Sequence, residues 1–85
     1  MPESRYFLAD AVLSALFALR NRDCQTLFAA FDLIAENPRE MAEMVGQDWD
    51  GRRVYLASFG RFEIGYMITG DPEMVTFTLV RPVRT

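Results

Sequence analysis

The apolar residues of this 85-residue chain change their spacing once, near the middle of the sequence. Between residues 11 and 38 they recur every three or four positions, which is the period of an amphipathic helix. From residue 53 to residue 80 they alternate, which is the period of a half-buried strand. Because the two patterns occupy separate halves, the sequence predicts an α+β fold in which helices cover one face of an antiparallel sheet. The length is that of a single domain, residues 1–85.

Two helices, joined as a helical hairpin, are predicted in the first half. The first is marked by apolar residues at helical spacing, namely Val12, Ala15, Leu16 and Leu19. Asp23 is interpreted as the N-cap of the second, which ends at Asn37-Pro38 because a residue before proline is disfavoured in the α region. The apolar stripe of the second helix consists of Leu27, Phe28, Phe31, Ile34 and Ala35. Residues 5–8, before the first helix, fit either a short strand or a helical turn, since periodicity over four residues does not separate the two.

The second half predicts a meander of three strands. They cover residues 53–59, 61–68 and 74–80, with turns at Gly60 and at residues 70–73. The side chains expected to face the helices are Phe62, Ile64, Tyr66 and Ile68 on the middle strand and Val75, Phe77 and Leu79 on the last. Between the halves, a short helical turn is predicted over residues 39–45, followed by a connector in which Trp49 fills the helix–sheet junction.

The charged residues exclude several kinds of chemistry. All nine basic residues are arginines, and the chain has neither His nor Lys. The usual general base, the commonest zinc ligand and any Schiff-base lysine are therefore missing. A net charge of −3 and a pI near 4.8 count against a protein that works on nucleic acid, although residues 49–85 hold five Arg against four acids. No cofactor or metal site is predicted.

The only cysteine, Cys24, cannot form an internal disulfide, which favours a cytoplasmic location. With no His to activate it, this thiol is not expected to act as a nucleophile. The apolar stretch over residues 6–19 is interpreted as core, because a bilayer span needs roughly 20 residues. Asp48 and Asp50 flank Trp49 and are interpreted as solvated acids of the connector rather than as an acid–base pair or metal ligands.

The order of these elements, together with several short motifs, resembles the RelE/ParE toxin superfamily. The family's first strand is similar to RYFLAD, and its second helix ends in a way similar to LIAENP. Its tightly turned strand pair resembles DWDGRRVYLASFGRFEIGY, and its last strand with a basic tail resembles VTFTLVRPVR. The resemblance implies a short N-terminal strand and a helical hairpin packed on a C-terminal three-stranded antiparallel meander. It also implies a type II toxin that pairs with a small antitoxin.

One branch of this superfamily cleaves messenger RNA on the ribosome, and another acts on DNA gyrase. Carried onto this chain, the ribonuclease pattern implies three phosphate clamps and a proton carrier, namely Arg53, Arg61, Arg84 and Tyr66. Glu63 stands where the pattern has the arginine that steadies the reacting phosphate, and a carboxylate there repels that phosphate. The basic residue after the last strand is matched by Arg84 or by Arg81.

The predicted surface for RNA or for a protein partner consists of Arg52, Arg53, Arg61, Glu63 and Arg81. The competing interpretation is ordinary charges at strand edges, and for Arg61 and Glu63, which lie two apart on one strand, it is a cross-strand ion pair. We therefore expect a RelE/ParE-like toxin component, or a degenerate descendant, that acts by binding a cognate antitoxin. Ribosome-dependent mRNA cleavage is the less favoured activity. The alternative of a different class is a self-associating adaptor or structural domain, whose apolar surplus forms a homodimer interface.

Overall fold

The computed structural model describes residues 6–83 of the chain. In chain order, the elements of this range are β1 (Tyr6–Leu8), α1 (Asp10–Phe17), α2 (Asn21–Glu36), β2 (Met44–Gln47), β3 (Arg53–Phe59), β4 (Phe62–Thr69) and β5 (Met74–Pro82). The strands form one five-stranded sheet in the order β1-β5-β4-β3-β2. The prediction of an α+β fold is confirmed, and the sheet extends beyond the predicted meander on both sides.

Residues 6–8 form a strand and not a helical turn, the other interpretation of this part of the sequence. β1 runs parallel to β5, with Tyr6 opposite Val75 and Leu8 opposite Phe77. The Tyr6 ring meets those of Phe31 and Phe77 edge-on, at centroid distances of 5.7 and 5.2 Å. Packing of the Tyr6 ring therefore stabilises this three-residue strand in addition to its backbone hydrogen bonds with β5.

Both helices pack on the same face of the sheet. Their buried side chains are Val12 and Leu16 from α1 and Leu27, Ala30, Phe31 and Ile34 from α2. Phe28 was expected in this stripe but is 42% exposed, because it lies at the margin of the buried face. The second helix begins at Asn21, so Asp23 lies in its first turn and does not cap it. Among the described residues, no helix is long and apolar enough to cross a bilayer.

Residues 44–47 form β2, and the helical turn predicted over residues 39–45 is wrong. Only a turn at residues 38–40 precedes the strand. β2 pairs antiparallel with β3 in a continuous register, from Met44 opposite Leu56 to Gln47 opposite Arg53. The Met, Ala and Glu residues before Gly46 favour a helix locally, but pairing with β3 outweighs that weak preference.

A tight turn at residues 48–51 joins β2 to β3. The Asp48 carboxylate accepts hydrogen bonds from the backbone N–H groups of Asp50 and Arg52, both at 2.9 Å. Gly51 completes the turn with a φ of 81°, a conformation that residues other than glycine rarely adopt. Trp49 is 93% exposed at the tip of this hairpin. The prediction that its ring fills the helix–sheet junction is therefore wrong.

β3, β4 and β5 form the predicted antiparallel meander. Gly60, with a φ of 58°, lies in the two-residue turn between the paired residues Phe59 and Phe62. The middle strand faces the helices as predicted, with Ile64 and Tyr66 at 0% exposure.

The last strand departs from simple alternation at Thr78. Tyr66 lies opposite Phe77, but Gly65 lies opposite Leu79, so Thr78 is left over as a bulge. Beyond the bulge, Val80 packs against the core, whereas Leu79 lies over Gly65 on the other face. The prediction of Leu79 as a core residue is wrong, because one extra residue reverses the phase of the strand.

Candidate protein-binding face of the sheet

The sheet has a second face, opposite the helices, which we call the open face. Strand alternation and register place seven apolar side chains on it, namely Phe7, Met44, Val54, Leu56, Met67, Met74 and Leu79. Phe7 is 58% exposed and Met44 is 63% exposed, while the five others are half-buried among their neighbours. Within the described residues, the buried side chains of both helices pack against the other face of the sheet. The open face is therefore an apolar surface available to another molecule.

Gly65 lies at the centre of the open face and makes it flat. A Cβ at this position would lie 3.0 Å from the Cβ of Leu79 and 3.4 Å from Cδ2 of Leu56. These two leucines, on the strands either side, thus close over the glycine. The absence of a side chain lets them form one continuous apolar surface across β3, β4 and β5.

One end of the open face is polar, because Glu63 and Arg81 form an ion pair there. The two residues are opposite each other on β4 and β5, and Arg81 Nε donates to Glu63 Oε1 at 2.7 Å. The carboxylate of Glu63 is therefore in a cross-strand ion pair, as the competing interpretation expected, and its partner is Arg81 on β5. As a pair at the surface, it contributes at most about 1 kcal/mol to stability.

Arg61 lies in the β3–β4 turn, before β4 begins. Its Nη2 donates to Oδ2 of Asp23 at 2.5 Å, and its Cζ lies 5.4 Å from the centroid of the Phe62 ring. This guanidinium therefore points to the start of α2 and not to Glu63. It shares a surface cavity of about 470 Å³ with Arg20 and Arg22. Sequence reasoning missed these two arginines and Asp23 as neighbours of Arg61, because about 40 residues separate them in the chain.

The other predicted arginines do not join Arg61. Arg52 and Arg53 lie at the start of β3, whereas Arg61 follows its end, and a seven-residue strand spans roughly 20 Å. Arg81 is on the open face with Glu63. Arg84 lies outside the described residues. The structure therefore does not bring together the predicted phosphate clamps Arg53 and Arg61.

Tyr66, the predicted proton carrier, lies in the core. It is 0% exposed, and its hydroxyl donates a hydrogen bond to the Pro38 carbonyl oxygen at 2.6 Å. Its ring stacks on that of Tyr55 at a centroid distance of 5.6 Å. Burial, with a smaller contribution from Tyr55, raises the pKa of Tyr66 to about 12. The hydroxyl reaches no surface at which a substrate proton could be exchanged.

The remaining candidates have structural partners. Cys24 is half-buried, and its Sγ donates to the Leu16 carbonyl oxygen at 3.3 Å, which links α2 to α1. The Asp48 carboxylate is engaged in the β2–β3 turn. Within residues 6–83, no three metal-ligating side chains come close enough to hold an ion. The chain matches no protein-family model, and neither a curated protein nor a solved structure shows significant similarity to it.

Proposed function

We propose that this domain is a RelE/ParE-like toxin component, or a degenerate descendant of one, that acts by binding an antitoxin-type protein on its open face. The observation that carries the proposal is the flat apolar surface over Gly65, bordered by the exposed side chains of Phe7 and Met44. A contiguous apolar surface of this kind, here with an exposed apolar side chain at each edge of the sheet, is characteristic of protein interaction sites. The family expectation itself rests on the sequence resemblance.

The positions of the charged groups favour protein binding over RNA cleavage. Glu63 occupies the place of the phosphate-steadying arginine, and its ion pair with Arg81 holds a carboxylate on the open face. Arg61 is directed to Asp23 on the helical side, and the Tyr66 hydroxyl is buried. Cleavage of RNA needs cations and a proton-transfer group around one phosphate. Here Arg53 and Arg61 lie at opposite ends of β3, and the Tyr66 hydroxyl is in the core.

The chemistry of the open face defines the kind of segment it receives. Leu56, Leu79 and Met67 offer apolar contacts, and the Glu63–Arg81 pair offers one acceptor and one donor at the end. A complementary segment is amphipathic, with apolar side chains toward the leucines and a charged residue toward the ion pair. Its binding energy comes mainly from the apolar contacts, because exposed ion pairs contribute little.

Two experiments test the proposal. In the first, the chain is expressed in bacteria alone and together with the protein encoded by the neighbouring open reading frame. Growth arrest that the neighbour relieves is expected of an active toxin, whereas a degenerate descendant leaves growth unchanged but still binds the neighbour's product.

In the second experiment, calorimetry measures that binding for the native chain and for two variants carrying the same charge. Phe7→Asp places a carboxylate on the open face and is expected to weaken binding at least tenfold, about 1.4 kcal/mol. Gln25→Asp places one on the exposed side of α2 and is expected to have no effect. Equal binding by all three proteins would exclude the open face, and no binding by the native chain would exclude the neighbour as partner.

A second candidate function, the self-associating adaptor, is supported by a different feature, the outer edge of β2.

A further inference from the structure

Apart from its short length of four residues, the outer edge of β2 carries none of the devices that protect sheet edges. All four of its residues, Met44–Gln47, are exposed, and they include no charged residue and no proline. Its register with β3 is continuous from Met44 to Gln47, so no bulge interrupts the paired residues. Natural proteins usually blunt such edges with charges, prolines, bulges or a covering element. An unprotected edge is therefore a place where another strand is expected.

We propose that β2 pairs antiparallel with β2 of a second copy of this chain, about a two-fold axis at Gly46. The two five-stranded sheets then become one ten-stranded sheet with the helices of both copies on the same side. This interface is a strand edge that shares only Met44 with the apolar side chains of the open face, so the proposal does not depend on the antitoxin-binding function proposed above.

The backbone groups of β2 suit this pairing. Beside the turn, the Asp48 N–H donates to the Arg52 carbonyl at 2.9 Å, and hydrogen-bonded pairs alternate along an antiparallel ladder. Gly46 therefore bonds toward β3, whereas Val45 and Gln47 turn their N–H and C=O groups outward. With the axis at Gly46, Val45 lies opposite Gln47 of the second copy. The two such pairs supply about four new backbone hydrogen bonds.

Apolar side chains flank this edge on both faces. Val45 is 57% exposed on the helical side, and Met44 is 63% exposed on the open face. Trp49, at 93% exposure, projects from the adjoining turn. At the axis, Gly46 has no side chain, and a Cβ there would meet nothing within 4 Å, so the open face beside the axis is uncrowded. The two Trp49 rings alone bring on the order of 400 Å² of surface, against the 1,200–2,000 Å² of a stable interface, so we expect a dimer in the micromolar range.

The charged residues near β2 complement those of a second copy whose β2 runs antiparallel to the first. With the axis at Gly46, Glu43 of one copy lies beside the β2–β3 turn of the other, and Arg53 follows one strand further in, on the helical side of the sheet that Val45 also faces. Arg53 is exposed, and its side chain makes no ion pair with any described residue. Of the two acids in the adjoining turn, the Asp48 carboxylate is engaged by two backbone N–H groups, and Asp50 is exposed to solvent. Two Glu–Arg contacts, one on each side of the axis, thus favour this chain itself as the occupant.

The test is the molar mass of the full chain, measured by sedimentation over a range of concentrations. The native chain is expected to pass from monomer to dimer at micromolar concentration. Val45→Pro removes an outward N–H and is expected to weaken the dimer at least tenfold. Because proline can disturb the fold, a charge exchange gives an independent measurement: Glu43→Arg and Arg53→Glu are each expected to weaken the dimer, and the double variant to restore it. Arg22→Glu, far from β2, is the matched control.

Three results would overturn the proposal. They are a native chain that remains monomeric throughout, a folded Val45→Pro variant that dimerises normally, and a double charge exchange no better than its single components. A monomeric native chain whose Val45→Pro variant loses binding to the neighbouring gene's product would assign the edge to a different protein. Loss of binding in Phe7→Asp with an unchanged dimer would separate this interface from the open face.

Discussion

The hydroxyl of Tyr66 donates a hydrogen bond to the carbonyl oxygen of Pro38 at 2.6 Å. This contact fastens the end of α2 to the central strand of the sheet, across 28 residues of sequence. It fixes the point at which the chain leaves the helical layer and turns into β2. The residue that the family resemblance suggests as a proton carrier thus has a structural task in this fold.

Replacing Tyr66 by Phe is expected to destabilise the domain by about 1 kcal/mol, because the Pro38 carbonyl loses its donor while the aromatic packing remains. Urea denaturation followed by circular dichroism measures this change. Tyr6→Phe is the control, since the Tyr6 hydroxyl makes no hydrogen bond within the described residues. Equal effects of the two substitutions would show that the contact with Pro38 does not contribute.

Stability should fall in alkali as Tyr66 ionises. Its pKa is raised by burial from the ordinary 10.0 to about 12, so the folded state holds this proton more tightly than the unfolded state does. The stabilisation is therefore complete below about pH 10 and is lost as the pH rises toward 12. Denaturation curves recorded across this range should show the loss in the native chain and a shallower loss in Tyr66→Phe. Parallel curves for the two proteins would contradict the assignment.

Gly65→Ala is expected to destabilise the domain by about 1–3 kcal/mol, because the new methyl group would lie 3.0 Å from the Cβ of Leu79. Gly46→Ala is the matched control, since a Cβ there has no neighbour within 4 Å. Thermal unfolding at low protein concentration, where the dimer is absent, compares the two. A Gly65→Ala variant as stable as Gly46→Ala would mean that the leucines on the open face move aside easily.

Glu63→Arg should raise the affinity of the open face for a single-stranded RNA oligonucleotide in low salt. The substitution removes a carboxylate and places a second guanidinium opposite Arg81, so the end of the sheet becomes positive. Glu63→Gln, which removes the charge without adding one, should give a smaller gain. Fluorescence anisotropy measures both, and the gain should disappear as salt is added. Unchanged affinity in Glu63→Arg would count against this face as an ancestral RNA site.

The elements whose interactions are local could be predicted from the sequence. The stripe from Leu27 to Ile34 and the alternation from Phe62 to Tyr66 each bury one side of a regular element, so periodicity reports them directly. β2 could not be predicted in this way, because its residues favour a helix and become a strand only through pairing with β3. The bulge at Thr78 left no signal either, and it moved Leu79 from the core to the open face.

The candidate site depended even more on contacts that the sequence does not reveal. Glu63 was recognised as a departure from the ribonuclease pattern, but its partner Arg81 follows from the register of β4 and β5. Arg61 was expected near Arg53, yet the two lie at opposite ends of β3, and Arg61 binds Asp23 instead. Two charged residues at the two ends of one strand are separated by the full length of that strand, although they are close in the sequence.

The most direct test of protein binding on the open face is a methyl NMR titration of the native chain with the product of the neighbouring open reading frame. The proposal predicts that the methyl signals of Leu56, Met67 and Leu79 shift together, while those of Leu13 and Leu33 on the exposed sides of the helices stay in place. Shifts confined to Leu13 and Leu33, or no shifts at all, would contradict it.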